Sequence, residues 1–178
     1  MSTNENSANS IAAVLFDLDG TLLDTADDLG AALNHVLNTY KKPNVAAKDY
    51  RPIASDGALG LLNLGFGDDI AQYNYESLRQ QFLDHYEQNI AEHTCLYPGV
   101  AELLQQLEDN NIPWGIITNK PEGLTKTLMP YYPEFANCAV MVGGDTLVKR
   151  KPDPEPILYA CQQINVNNQQ CFYVGDAL

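Results

Sequence analysis

Four short apolar runs, each stopped by polar residues, limit what this chain can fold into more than any other feature. They are Ile11-Ala12-Ala13-Val14-Leu15-Phe16, Trp114-Gly115-Ile116-Ile117-Thr118, Cys138-Ala139-Val140-Met141-Val142 and Cys171-Phe172-Tyr173-Val174-Gly175. Continuous apolar runs separated by helical patterns read as buried strands joined by crossovers, an α/β protein built on a parallel sheet. In such a sheet every C-terminal strand end faces the same way, and open α/β sheets bind ligands along that edge. Asp17 and Asp19, Thr118-Asn119-Lys120, Gly143-Gly144-Asp145 and Asp176 should therefore converge there.

From about residue 24 to 93 no strand pattern occurs, and this stretch is expected to be a helical insertion between the first strand and the rest of an α/β core at 11–23 and 94–178. Its first helix opens near Asp24, with Thr25 and Asp28 spaced as a capping box, and Leu29, Leu33, Val36, Leu37 and Tyr40 recur at helical spacing until Pro43. Ala58 to Leu64 and Tyr75 to Ile90 carry two more helical patterns. After Tyr97-Pro98-Gly99, residues Val100, Leu103, Leu104 and Leu107 form an amphipathic helix ending at Asp109-Asn110-Asn111. The polar residues 1–10 read as a disordered tail.

Composition removes several classes of function. The 23 acidic against 10 basic residues give a net charge of -13, which disfavours nucleic acid and anionic membrane as partners. Any phosphate site must be made locally positive by a metal ion, a lysine or a helix N-terminus. Cys95, Cys138, Cys161 and Cys171 have neither C-x-x-C pairing nor histidines at zinc spacing and read as reduced thiols. No secretory signal or membrane span is visible, so a cytoplasmic location is expected; the partners expected are a small phosphorylated metabolite and, at most, a second copy, as a monomer or weak homodimer.

Asp17-Leu18-Asp19-Gly20-Thr21-Leu22 carries the chemistry. One carboxylate at a strand end could serve as nucleophile or metal ligand, and a second, two residues on, could give and take a proton. An EF-hand reading fails, because Thr21 and Leu22 fill its fifth and sixth positions and Asp28 its twelfth. Lys149-Arg150-Lys151 reads equally well as a solvated basic run or, for Lys151, as an anion donor just ahead of a helix starting around Pro154. Lys120 is read as peripheral. His35, His85 and His93 read as surface or boundary residues, and Gly65-Phe66-Gly67 is too short for a nucleotide loop.

These residues resemble the haloacid dehalogenase superfamily of aspartate-nucleophile phosphatases. Its first motif corresponds to Asp17-Leu18-Asp19-Gly20-Thr21-Leu22, its second to Thr118 with Asn119, its third to Lys151 in Lys151-Pro152-Asp153-Pro154, and its fourth to Gly175-Asp176. The resemblance implies a Rossmann-like parallel core with an inserted helical cap. It implies that Asp17 attacks phosphorus to form an aspartyl phosphate, and that Asp19 is the acid and base. Asp17, the Asp19 backbone carbonyl and Asp176 would hold Mg²⁺. Thr118, Asn119 and Lys151 would bind the phosphoryl group, and Gly57 in the cap would face a small phosphorylated metabolite.

Thr118-Asn119-Lys120-Pro121 and the Lys151 motif look most like the phosphoglycolate phosphatase subgroup, and equally like relatives that dephosphorylate N-acetylmuramate 6-phosphate. A β-phosphoglucomutase-like sugar phosphomutase shares both first-motif aspartates and is the enzymatic alternative. The family continues its fourth motif as G-D-x-x-x-D, whereas this sequence ends Gly175-Asp176-Ala177-Leu178. A core incomplete at its C-terminus, from a truncated and inactive form or a binding module, is therefore also expected.

Overall fold

The computed structural model describes residues 11–176; the expected N-terminal tail, residues 1–10, lies outside the described residues, as do 177 and 178. The described chain divides into two compact units, one of residues 11–22 with 98–176, the other of residues 23–97. In chain order, β1 (Ala13–Phe16) belongs to the first unit. The second holds β2 (Leu23–Asp24), α1 (Ala26–Thr39), α2 (Ala47–Tyr50), α3 (Gly57–Phe66), α4 (Tyr75–Gln88) and β3 (Cys95–Leu96). The first unit resumes with α5 (Val100–Asp109), β4 (Trp114–Ile117), α6 (Glu122–Leu128), β5 (Val140–Val142), α7 (Glu155–Gln163) and β6 (Cys171–Val174).

The first unit is built on a parallel sheet ordered β5-β4-β1-β6. Every residue of β1 and β4 is buried, which is why both read as unbroken apolar runs. Leu15, Ile117, Val142, Ala160 and Cys161 form a core cluster between the sheet and α7. Trp114 is 1% exposed and meets Phe16 and Phe135 edge-on at 6.5 and 6.1 Å. The strand expected from Cys138 begins only at Val140, although the Ala139 amide already donates to the Trp114 carbonyl at 2.9 Å; the Cys138 thiol donates to the Val140 carbonyl at 3.2 Å.

Two ladder bonds outlast the strands: the Asp17 amide donates to the Val174 carbonyl at 2.8 Å and the Thr118 amide to the Val142 carbonyl at 2.9 Å. They carry the register one residue past each strand, so Asp17, Thr118 and the residues after Val142 and Val174 emerge on one edge. Helices α5 and α7 end alike, with Asn111 (φ 54°) and Asn165 (φ 56°) left-handed just past the last turn. Their amides, and those of Ile112 and Val166, close Schellman motifs on the helix carbonyls.

In the second unit α1 packs with α3 and α4, burying Leu33, Val36, Leu37, Leu61, Leu62, Leu78, Phe82 and Tyr86. Here too α1 stops before Pro43 in a Schellman motif, with Lys41 at φ 56°. The antiparallel ribbon β2–β3 pairs Leu23 with Leu96 and Asp24 with Cys95. The capping box expected at Thr25 and Asp28 does not form: the Thr25 side chain makes no capping bond. The buried Asp28 carboxylate is taken instead by the His93 amide, the Thr94 amide at 2.9 Å and the Thr94 hydroxyl at 2.6 Å. Among the described residues no helix is long and apolar enough to cross a membrane.

Candidate active site

Asp17 leaves the end of β1 only 8% exposed. Its Oδ1 accepts the Leu18 amide at 2.7 Å, and its Oδ2 lies 2.6 Å from the Lys151 ammonium. Burial pushes the Asp17 carboxyl above the ordinary carboxylate range; Lys151 pulls it back, and the charge of Asp19 pushes the same way as burial. The Lys151 ammonium also donates to the Tyr173 hydroxyl at 2.8 Å. Burial, then the charges of Asp17 and Asp176, push that phenol well above its usual value.

The basic run is divided by the fold. The Lys149 side chain is 60% exposed and pairs with Asp153 at 3.2 Å, whereas the Lys151 side chain is 15% exposed and turns to Asp17. Lys149 is thus solvated surface, whereas Lys151 is held against Asp17.

Asp19, two residues past Asp17, takes the Lys120 ammonium at 2.9 Å, with the lysine side chain 5% exposed and the aspartate 17%. Sequence reasoning left Lys120 outside the site; the structure corrects this. The loop after β4 is folded tightly enough to aim it. The Lys120 amide donates to Thr118 Oγ1 at 3.1 Å, and the Lys120 carbonyl accepts the Gly144 amide at 2.8 Å. A Cβ on Gly144 would lie 2.1 Å from the Asn119 carbonyl oxygen, so only glycine lets the loop after β5 come this close. The Asn119 side chain donates to the Lys151 carbonyl at 3.1 Å and ties the second lysine's loop to the first's. The signal that could have found Lys120 is spacing, because Thr118 and Lys120 repeat the i, i+2 pattern of Asp17 and Asp19.

The structure therefore brings Asp17, Asp19, Thr118, Asn119 and Lys151 together in the first unit and adds Lys120 and Tyr173. Gly57 lies in the helical unit, where it opens α3 at φ 64° after a 3-10 turn. Among the described residues no group of three or more His, Cys, Asp or Glu side chains stands close enough to hold a metal ion. The expected set needs only two side chains, Asp17 and Asp176, with the Asp19 carbonyl as its third oxygen. All-oxygen donors of this kind suit a hard divalent cation.

The chain is similar to several known proteins. Residues 14–178 match the family described as haloacid dehalogenase-like hydrolase. A phosphoglycolate phosphatase of Xanthomonas campestris pv. campestris (strain 8004) is 43% identical over 164 residues, which cover 92% of this chain and 74% of that protein. An N-acetylmuramic acid 6-phosphate phosphatase of Pseudomonas putida is 37% identical over 168 residues, covering 94% and 75%. The crystal structure of a predicted phosphoglycolate phosphatase from Haemophilus somnus 129PT superposes with a TM-score of 0.83 at 26% identity, covering 93% of this chain and 77% of that one.

Proposed function

The chain belongs to the haloacid dehalogenase-like hydrolase family and is a phosphatase, and from that premise we propose that it hydrolyses small phosphate monoesters through an aspartyl phosphate on Asp17, with Mg²⁺ as cofactor. The observation that carries this reading is the pairing at the strand end: Asp17 on Lys151 at 2.6 Å and Asp19 on Lys120 at 2.9 Å, two carboxylates held apart by two ammonium groups.

In the first step an Asp17 oxygen attacks phosphorus while the bond to the ester oxygen breaks, and Asp19 gives its proton to that leaving oxygen. The Asp19 carboxylate then takes a proton from water, whose oxygen attacks phosphorus. The Asp17–phosphorus bond breaks, inorganic phosphate leaves, and Asp19 is protonated as at the start. Lys151 and the Thr118 hydroxyl hold phosphoryl oxygens, with help from the Asn119 amide; a fixed donor of this kind contributes about 3–4 kcal/mol. Held by Asp17, the Asp19 carbonyl and Asp176, magnesium would offset the repulsion between the nucleophile and the phosphoryl oxygens.

The helical unit, read from sequence as residues 24–93, is assigned the role of a specificity cap, with Gly57 as a specificity position. The relatives named phosphoglycolate phosphatase and N-acetylmuramic acid 6-phosphate phosphatase make 2-phosphoglycolate and N-acetylmuramate 6-phosphate the first substrates to try. The test is a magnesium-dependent screen of these and of sugar phosphates for release of inorganic phosphate, with kcat/KM compared across the set. Asp17→Asn should abolish turnover, and turnover that survives this change removes Asp17 as the nucleophile. Reaction only with a bisphosphate activator, without net phosphate release, would point to a phosphomutase.

A further inference from the structure

We propose that Lys120 is the positioning residue of the acid/base group: its ammonium holds the Asp19 carboxylate in the place from which it serves the leaving oxygen and then the water. The inference rests on the phosphatase reading above and deepens it.

The geometry is specific. The Lys120 side chain is 5% exposed and its ammonium donates to Asp19 Oδ1 at 2.9 Å across a sequence separation of 101 residues. A lysine side chain loses much conformational freedom when buried and fixed, and a charge taken out of water needs a partner. The backbone carrying it is held on both sides, by the Thr118 hydroxyl accepting its amide at 3.1 Å and by the Gly144 amide donating to its carbonyl at 2.8 Å. Lys151 is already engaged by Asp17 and Tyr173. The lysines are thus matched to different aspartates: Lys151 to the nucleophile, which contacts the phosphoryl group, and Lys120 to the acid/base.

Asp19 follows Asp17 by two residues and precedes Gly20, whose φ of 83° turns the chain sharply. The carboxylate therefore stands past the end of β1, just ahead of a turn, and gains from a fixed partner. Proton transfer needs the heavy atoms within about 2.6–3.2 Å, so a carboxylate free to rotate away loses much of its effect.

The test separates positioning from substrate binding and from mere structure. Lys120→Met is compared with the parent on a series of carboxylate-free aryl and alkyl phosphates whose leaving groups increasingly need protonation. General acid catalysis is typically worth ~10²–10⁴-fold. We expect kcat/KM to fall by ~10²-fold for the poorest leaving groups and by less than ~10-fold for p-nitrophenyl phosphate, with Lys120→Arg recovering most of the difference. On an Asp19→Asn background, Lys120→Met should cost less than ~2-fold, because residues acting as one unit are not additive.

A loss uniform across leaving groups, or one that persists undiminished in the double variant, overturns the proposal. The first result would make Lys120 structural and the second would make it a substrate-binding group. Should Lys120→Met alone not fold, the comparison of Asp19→Asn, whose amide oxygen can still accept from Lys120, with Asp19→Asn/Lys120→Met, which removes both charges of the pair, carries the test. Asp17→Asn in parallel keeps the two readings distinct: turnover surviving there refutes the nucleophile, whereas failure of the leaving-group pattern with Asp17→Asn inactive refutes only the role of Lys120.

Discussion

Lys151→Met would remove the ammonium that faces the buried nucleophile, and the structure sets the size of the effect. The pair stands at 2.6 Å with side-chain exposures of 15% and 11%, so solvent screens it little. Taking one partner from a buried ion pair costs about 3–5 kcal/mol, because the remaining charge is left in a poor dielectric. Part of that is recovered here. Asp17 keeps the Leu18 amide at 2.7 Å and, with its carboxyl already pushed up by burial, can take a proton instead of staying charged. We therefore expect a loss of about 2–4 kcal/mol near pH 8 in magnesium-free buffer.

The pH dependence follows from the same carboxyl. A folded-state value raised above the unfolded one gives stability that is complete below about 3.8 and is lost as pH rises through the folded value. Removing Lys151 abolishes the two strongest influences that lower this value. The variant therefore loses stability over a window reaching to higher pH, and the gap between parent and variant should be smaller at pH 5 than at pH 8. Urea unfolding at both pH values measures it, and phosphate release should show kcat down by ~10²–10³-fold for loss of the fixed donor. A stability change under ~1 kcal/mol that is identical at both pH values, with kcat within threefold of the parent, would refute the reasoning.

Three further outcomes are expected. Asp28→Ala strips the acceptor from the His93 amide, the Thr94 amide and the Thr94 hydroxyl, and should lower stability by about 2–3 kcal/mol in urea unfolding, Asp28→Asn by less. Gly144→Ala puts a methyl 2.1 Å from the Asn119 carbonyl, so the loop carrying Asn119 and Lys120 must move; steady-state kinetics should show kcat falling by ~10–10²-fold with KM changed much less. Tyr173→Phe deletes one acceptor of a Lys151 that keeps Asp17, and should cost less than ~1 kcal/mol and less than ~10-fold in kcat by the same assays.

What the sequence discloses follows the range of the interaction. The strands and their functional ends were legible, because a strand buried on both faces is an unbroken apolar run and its end is a change to polar residues. Interactions that close over long separations left no such mark. Lys120 meets Asp19 across 101 residues, and its one local mark, the i, i+2 spacing from Thr118, does not name that partner. Asp28 had the spacing of a capping box, yet its carboxylate is recruited by His93 and Thr94, 65 and 66 residues away. Lys149 and Lys151 could not be told apart by composition, because burial assigned one to water and the other to Asp17.

The charge of the whole chain and that of the site point to the same requirement. A net charge of -13 should repel a phosphate dianion, but charges spread over the surface are screened beyond about 8–10 Å at physiological salt. The field at the edge is set by its own residues, Asp17, Asp19 and Asp176 against Lys120 and Lys151. With every one of these charged the local sum is -1, and both lysines already answer carboxylates at 2.9 and 2.6 Å. The lysines therefore stop the aspartates from repelling one another and leave no positive surplus for the substrate. A divalent cation at Asp17 and Asp176 turns the sum to +1. Inorganic phosphate should accordingly bind at least ~10-fold more weakly after chelation of magnesium, the factor that about 1.4 kcal/mol commands. A change of salt from 50 to 200 mM with magnesium present should move the inhibition constant by less than ~3-fold, since the short-range terms dominate. Equal phosphate affinity with and without magnesium, measured by calorimetry, would mean that the lysines do supply the attraction and that the pairing with the aspartates yields when phosphate arrives.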